Sequence, residues 1–139
     1  MEHHWIILEH PSDIGVEARG DSLAAAYQHA AEGLMAVILD SSTIQSTQER
    51  HIVLTASDHE QLLVKWLSEI LYLYDGQGFV SGKFEILNLT ATDLRARVRG
   101  ETFDVQKHKP KLDVKAVTYH QLVVQETPEG STVKVFFDI

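Results

Sequence analysis

Residues 62–74 narrow the choice of folds more than any other stretch. Leu62, Leu63, Val64, Trp66, Leu67, Ile70, Leu71, Leu73 and Tyr74 fall at helical spacing but spread well beyond one stripe. A surface helix has a single apolar face, whereas so wide an arc demands cover on several sides. The pattern therefore predicts a helix held between a second helix and a sheet. Ser57 with Glu60 three residues on reads as a capping box that opens it, and Asp75-Gly76 as its stop. The leucine and aromatic positions are read as core, not as a cofactor box.

The second helix that this arrangement needs fits residues 23–39, after the break Gly20-Asp21-Ser22. Leu23, Tyr27, Ala30, Leu34 and Val37 make one stripe, with Gln28 and Glu32 on the polar side, so packing on one face is expected. Elsewhere the apolar rhythm has period two. Strands are read at 5–8, at Ile14, Val16 and Ala18, at 52–56, at Phe84, Ile86 and Leu89, and at Leu94, Ala96 and Val98. Residues 114–125 read as one long strand, Thr127-Pro128-Glu129-Gly130 as a turn, and 131–138 as the hairpin partner. Residues 40–50 read as a mobile loop and 100–113 as an irregular excursion. No repeat or linker divides the chain. The expectation is a single α+β domain over residues 1–139, with two helices packed on mainly antiparallel sheet.

Charge and composition exclude several functions. There is no cysteine, hence no disulfide, thiolate zinc site or cysteine nucleophile. The first ten residues, MEHHWIILEH, have neither a basic start nor a long apolar run, so no signal peptide or membrane span is expected. A net charge of −8 argues against nonspecific nucleic-acid binding. Yet seven of the twelve basic residues lie between Asp93 and Lys115 against only four acids. Arg95, Arg97 and Arg99 alternate with apolar residues and so line one face of one strand, read either as a basic face for a protein partner or an RNA-bearing complex or as a solvated strand face.

The best lead to chemistry is the final strand, VKVFFDI, in which Val133, Val135 and Phe137 alternate up to Asp138 and Ile139. If that strand is paired, the Asp138 side chain and the Ile139 carboxylate become two fixed anions, which together with Asp13 would attract a cation. Oxygen ligands select hard ions, Ca²⁺ or Mg²⁺; adding His10 or His120 would tilt the choice towards Mn²⁺ or Zn²⁺. The plainer readings are an Asx turn for Asp13 and an exposed strand end for Asp138. Centring the hairpin on Pro128-Glu129 puts Asp138 across from Tyr119 or His120, with Lys115 roughly 15 Å further along unless a bulge intervenes. His108, in the basic run KHKPK, reads either as a solvated histidine or as a group near a phosphate or partner carboxylate. Walker A, GxGxxG and GxSxG patterns are missing and no nucleophile–base pair stands out, so an enzyme is the poorer expectation.

HPSDIG, AAEGLMAVI, LLVKWLSEILYLYD, GETFDVQKH, VKAVTYH and a terminal DI occur in that order across nearly the whole chain. Together they resemble the archease family. The resemblance implies a small α+β protein that assists the GTP-dependent RNA-splicing ligase, helping it reach its guanylylated state over multiple turnovers without being the ligase itself. It implies a divalent metal ion, calcium first and magnesium or manganese as alternatives, held by Asp13, Asp138 and the Ile139 carboxylate. It matches Lys115 to a functional lysine, and Glu101, Asp104, His108 and His120 to positions tied to ligase activation. The implied partners are the ligase and, through it, tRNA, in the cytoplasm and without a membrane. Two other roles remain in view: a chaperone-like module for tRNA-modifying enzymes such as a tRNA methyltransferase, and a small metal-dependent hydrolase. One departure is HPSD where many members carry HTAD; Pro11 stiffens the turn before Asp13, and Pro11 and Ser12 bear on metal affinity.

Overall fold

The computed structural model describes residues 4–40 and 44–139. Its elements run β1 (Trp5–Glu9), β2 (Ile14–Gly20), α1 (Leu23–Ile38), β3 (Leu39–Asp40), β4 (Gln48–Thr55), α2 (His59–Gln77), β5 (Phe79–Leu89), β6 (Asp93–Thr102), β7 (Lys109–Pro110), β8 (Ala116–Val117), β9 (Val123–Thr127) and β10 (Gly130–Asp138). A five-stranded sheet has the order β1-β2-β10-β8, with β9 also on β10. A three-stranded sheet has the order β4-β6-β5, and β3 pairs with β7. Every pairing is antiparallel. The fold is α+β, with both helices against sheet, as the periodicity predicts.

α2 is buried on several sides, with Leu62, Leu63, Trp66, Leu67 and Ile70 fully enclosed. The Trp66 indole N–H donates to the Tyr27 carbonyl at 2.9 Å, tying α2 to α1 through a buried bond. The cap differs by one residue from the expected box. Asp58 is the N-cap, its side chain accepting from Gln61 N at 2.8 Å, while the Gln61 side chain reaches back to Ser57 N at 2.7 Å. The helix also runs past Asp75-Gly76. It ends at Gly78, whose left-handed conformation (φ 62°) lets its N–H meet the Leu73 and Tyr74 carbonyls.

α1 is capped by Ser22, as expected, but is not buried on one face alone. Ala26, Ala31, Gly33, Met35 and Ile38 are also enclosed, because α1 touches both the β2–β10 side and β5. Small residues permit this. A Cβ on Gly33 would stand 2.6 Å from Val16, so the glycine allows helix and strand to close up.

One loop expectation and one strand expectation change. Strand β4 begins at Gln48, inside the stretch expected to be loop, because residues 48–55 pair with β6 along their whole length; residues 41–43 of that stretch lie outside the described residues. The single strand expected over 114–125 is two short ones. Thr118 interrupts it: its hydroxyl donates to the Phe136 carbonyl at 3.0 Å and accepts from His120 N at 3.2 Å, closing a tight turn with Gln121 at φ 51°. Three steps along β10, from Lys134 to Phe137, therefore face six steps on the other side, from Val123 to Val117. The ladder slips by three, so Asp138 pairs with Ala116 and not with Tyr119 or His120.

Candidate functional site

β2 and β10 pair from Ser131↔Gly20 to Phe137↔Ile14. Asp13 and Asp138 are the next residues of the two segments beyond that last pair. On the inner face, Ile14, Val16, Val133, Val135 and Phe137 enter the core. Strand alternation puts Asp13 and Gly15 of one chain segment, and Phe136 and Asp138 of the other, on the outer face. The early turn and the end of the last strand thus meet at one sheet end.

Asp13 follows the turn at Pro11-Ser12, where His10 N donates to the Asp13 carbonyl at 3.2 Å. Its Oδ1 is buried and has no hydrogen-bond partner. His10 Nδ1 lies 3.2 Å from that oxygen as a close polar contact. Apart from that contact the buried oxygen has no donor among the described residues, a need that a hard cation on oxygen ligands would meet. The residues present fit such an ion on that ground. Among the described residues no three His, Cys, Asp or Glu side chains gather as a metal cluster. Lys115, and not His120, is the neighbour on the ladder: its N–H donates to the Asp138 carbonyl at 2.8 Å. His120 instead turns back so that its ring meets the edge of Phe136, with centroids 6.1 Å apart.

Glu101, Asp104 and His108 form a second cluster, at the end of β6. His108 is only 2% exposed, so the solvated-histidine reading is corrected: the ring is packed against Phe103 and hydrogen-bonded at both nitrogens. Asp104 N donates to its Nδ1 at 2.9 Å, which leaves the ring proton on Nε2, facing Glu101 Oε2 at 3.0 Å. Glu101 also accepts from Lys107 Nζ at 2.9 Å and Gln45 N at 3.1 Å. Lys107 above all, then His108 and the Gln45 amide, hold the Glu101 carboxyl down at about 2 against the opposing effect of burial. Asp104 closes the turn, its carbonyl accepting from Lys107 N and His108 N and its side chain from Gln106 N.

The three arginines do line one face of β6, but two are engaged within the sheet. Arg97 donates to Glu85 from Nε and Nη2 at 3.0 and 2.6 Å, and Arg99 Nε donates to Glu49 at 3.1 Å. Arg95, exposed and opposite Val53 in the ladder, makes no ion pair among the described residues. Sequence reasoning passed over Lys107, Gln45 and the Gly15–Phe136 pair. Only the last leaves a sequence signal, a glycine inside an otherwise alternating strand.

No helix among the described residues is long and apolar enough to cross a membrane. Residues 5–139 match the model of the Archease protein family (MTH1598/TM1083). A relative from Pyrococcus furiosus, protein archease, is 38% identical over 130 residues, covering 91% of each chain. The solution structure of protein 1598 from Methanobacterium thermoautotrophicum superposes with a TM-score of 0.85 at 25% identity, covering 99% of this chain and 100% of that one. The crystal structure of an archease from Thermotoga maritima, described as a possible chaperone, gives 0.66 at 20% identity over 95% and 94%. With the family model matched from β1 through the end of β10, the chain belongs to the archease family.

Proposed function

We propose that this chain is an accessory protein that activates the GTP-dependent RNA-splicing ligase, promoting its guanylylation over repeated turnovers. Family membership supports the class of role. The observation that carries the site is the β2–β10 register, which ends at Phe137↔Ile14 and so brings the segments bearing Asp13 and Asp138 to one sheet end, with Asp13 Oδ1 buried and making no hydrogen bond. Asp13, Asp138 and the Ile139 carboxylate would hold a divalent cation, Ca²⁺ first and Mg²⁺ or Mn²⁺ as alternatives. Such an ion supplies charge neutralisation beside phosphate groups. The chain's own residues do the rest. Lys115, fixed through its backbone to Asp138, would offer its ammonium to a phosphate or a ligase carboxylate. Arg95 offers a further cation on the β6 face, and the Glu101–Asp104–His108 turn at the other end of that strand is held by its own hydrogen bonds. Contact with tRNA is through the ligase complex, in the cytoplasm.

The test is ligase guanylylation followed over several turnovers with Asp138→Ala and Lys115→Ala. Each variant is expected to lose most of the stimulation, at least tenfold, and full stimulation by both rejects the assignment. A chaperone for a tRNA methyltransferase would instead suppress aggregation regardless of Asp13 or Asp138, and a hydrolase would turn over substrate without the ligase.

A further inference from the structure

The face that carries the two carboxylates is turned away from the core, yet Phe136 on that face is only 2% exposed. Three neighbours contribute to its cover. Gly15 is its direct cross-strand partner. A Cβ on Gly15 would stand 2.7 Å from ring atoms Cδ1 and Cε1 and 2.9 Å from the Val135 carbonyl, so the ring lies on the bare glycine backbone. The φ of Gly15 is not positive, so space rather than backbone conformation calls for glycine here. A ring laid over a strand glycine restores the packing that the missing side chain forfeits. The His10 ring covers another side, with centroids 4.7 Å apart and planes tilted by 33°, and the His120 ring meets an edge.

His10 is the link to the site. Its backbone closes the turn onto Asp13, its ring rests on Phe136, and its Nδ1 sits 3.2 Å from the buried Asp13 oxygen. A continuous stack therefore runs from the Gly15 backbone through the Phe136 and His10 rings to the Asp13 carboxylate. We propose that Gly15 and Phe136 are positioning residues for the carboxylate pair: the ring, seated on the glycine, holds His10 against Asp13 and fixes that carboxylate at the sheet end it shares with Asp138 before any cation arrives. The cation belongs to the function proposed above; the stack itself does not depend on it. Fixing a ligand in advance removes the ordering cost from the binding step.

Four variants test this: Phe136→Leu, Phe136→Tyr, Gly15→Ala and His10→Ala, each checked for folding by circular dichroism. In the cation-free protein, NMR reads the ring-current shift of the His10 imidazole protons and the Asp13 carboxyl carbon shift. Calorimetry with Ca²⁺ reads affinity. Phe136→Tyr is expected to keep all three. Phe136→Leu is expected to lose the His10 shift, move the Asp13 carbon, and weaken Ca²⁺ binding roughly three- to tenfold, the factor that one immobilised side chain carries. The double variant Phe136→Leu with His10→Ala is expected to bind no more weakly than either single change, because both break one stack. Should Phe136→Leu not fold, Gly15→Ala, which keeps the ring but lifts it, carries the same expectations. A folded Phe136→Leu or Gly15→Ala with native His10 and Asp13 shifts overturns the proposal, as do additive losses in the double variant. If the native protein takes up no Ca²⁺, the cation reading falls, and the two NMR shifts alone decide the positioning role.

Discussion

Glu101 shows how one carboxylate can organise a turn. Three donors converge on it, from Lys107, His108 and Gln45, and two of them lie within seven residues along the chain. Its folded pKa, about 2, lies below the ordinary carboxylate range near 4.3. A group whose pKa is depressed on folding stabilises the protein at pH above its unfolded value, and that stabilisation disappears as pH falls through the folded value. Glu101→Gln is therefore expected to melt several degrees below the native protein at pH 7. The gap should narrow from about pH 5 downward and close near pH 2. Melting curves on both proteins across that range check it; a gap independent of pH would mean that the charge is irrelevant. None of this could be read from KHKPK, where the visible feature is positive charge. The partner that buries His108 lies seven residues back in a strand, and the alternation of that strand says nothing about how the following turn folds over it.

At the scale of elements, what was legible followed from periodicity and what was not followed from side-chain competition for the backbone. Both helices were readable because the 3.6-residue spacing of apolar positions is long and regular in each, and the strand faces because alternation fixes them. The α2 cap was missed by one residue because Ser57 and Asp58 are both good caps, and only the Asp58–Gln61 bond decides between them. Residues 114–125 alternate as one strand would, and the break comes from Thr118, whose hydroxyl joins the Phe136 carbonyl and the His120 amide. That single interruption moved the neighbour of Asp138 from His120 to Lys115. That Asp13 and Asp138 share a site was implied by the family resemblance, and the β2–β10 register that brings their two segments to one sheet end joins strands far apart in sequence and has no local signal. Gln121 carries the strain of the turn, since a left-handed conformation costs a non-glycine residue about 1–2 kcal/mol, offset in part by the entropy that glycine loses. Gln121→Gly is expected to stabilise the protein by about 0.5 kcal/mol, and Gln121→Val, with a branched Cβ, to destabilise it by about 1 kcal/mol or more. Urea unfolding measures both. Gly78 makes the converse case: nothing stands within 4 Å of its would-be Cβ, so Gly78→Ala is expected to cost about 1 kcal/mol through backbone conformation alone.

For the whole molecule the question is whether two separate sheets behave as one body. The five-stranded sheet carries the carboxylates, while the three-stranded sheet carries Glu101 and the arginines. No strand is shared between them, so the helices must join them. α1 packs on β2 and β10 and also on β5, and α2 packs on β4 and β5 and also on β8 and β9. Buried residues from both sheets and both helices form one continuous core. Surface ion pairs such as Arg99–Glu49 add little, about 0–1 kcal/mol each, so this shared core must carry the coupling. The two tryptophans report on the two sides: Trp5 begins β1 of the larger sheet, and Trp66 on α2 packs edge-on to Phe84 of the smaller. Single-tryptophan proteins made by Trp5→Phe and by Trp66→Phe are each expected to give fluorescence and circular-dichroism transitions in urea that coincide, as one cooperative unit requires. Trp66→Ala, which empties a fully enclosed site where the helices meet, is expected to cost about 3–5 kcal/mol and to lower both probes together. If fluorescence from Trp5 survived to higher urea than the circular-dichroism change, the larger sheet would be stable on its own. The carboxylate site could then stay formed while the arginine face came apart, and the two faces would not be presented to a partner in fixed relation.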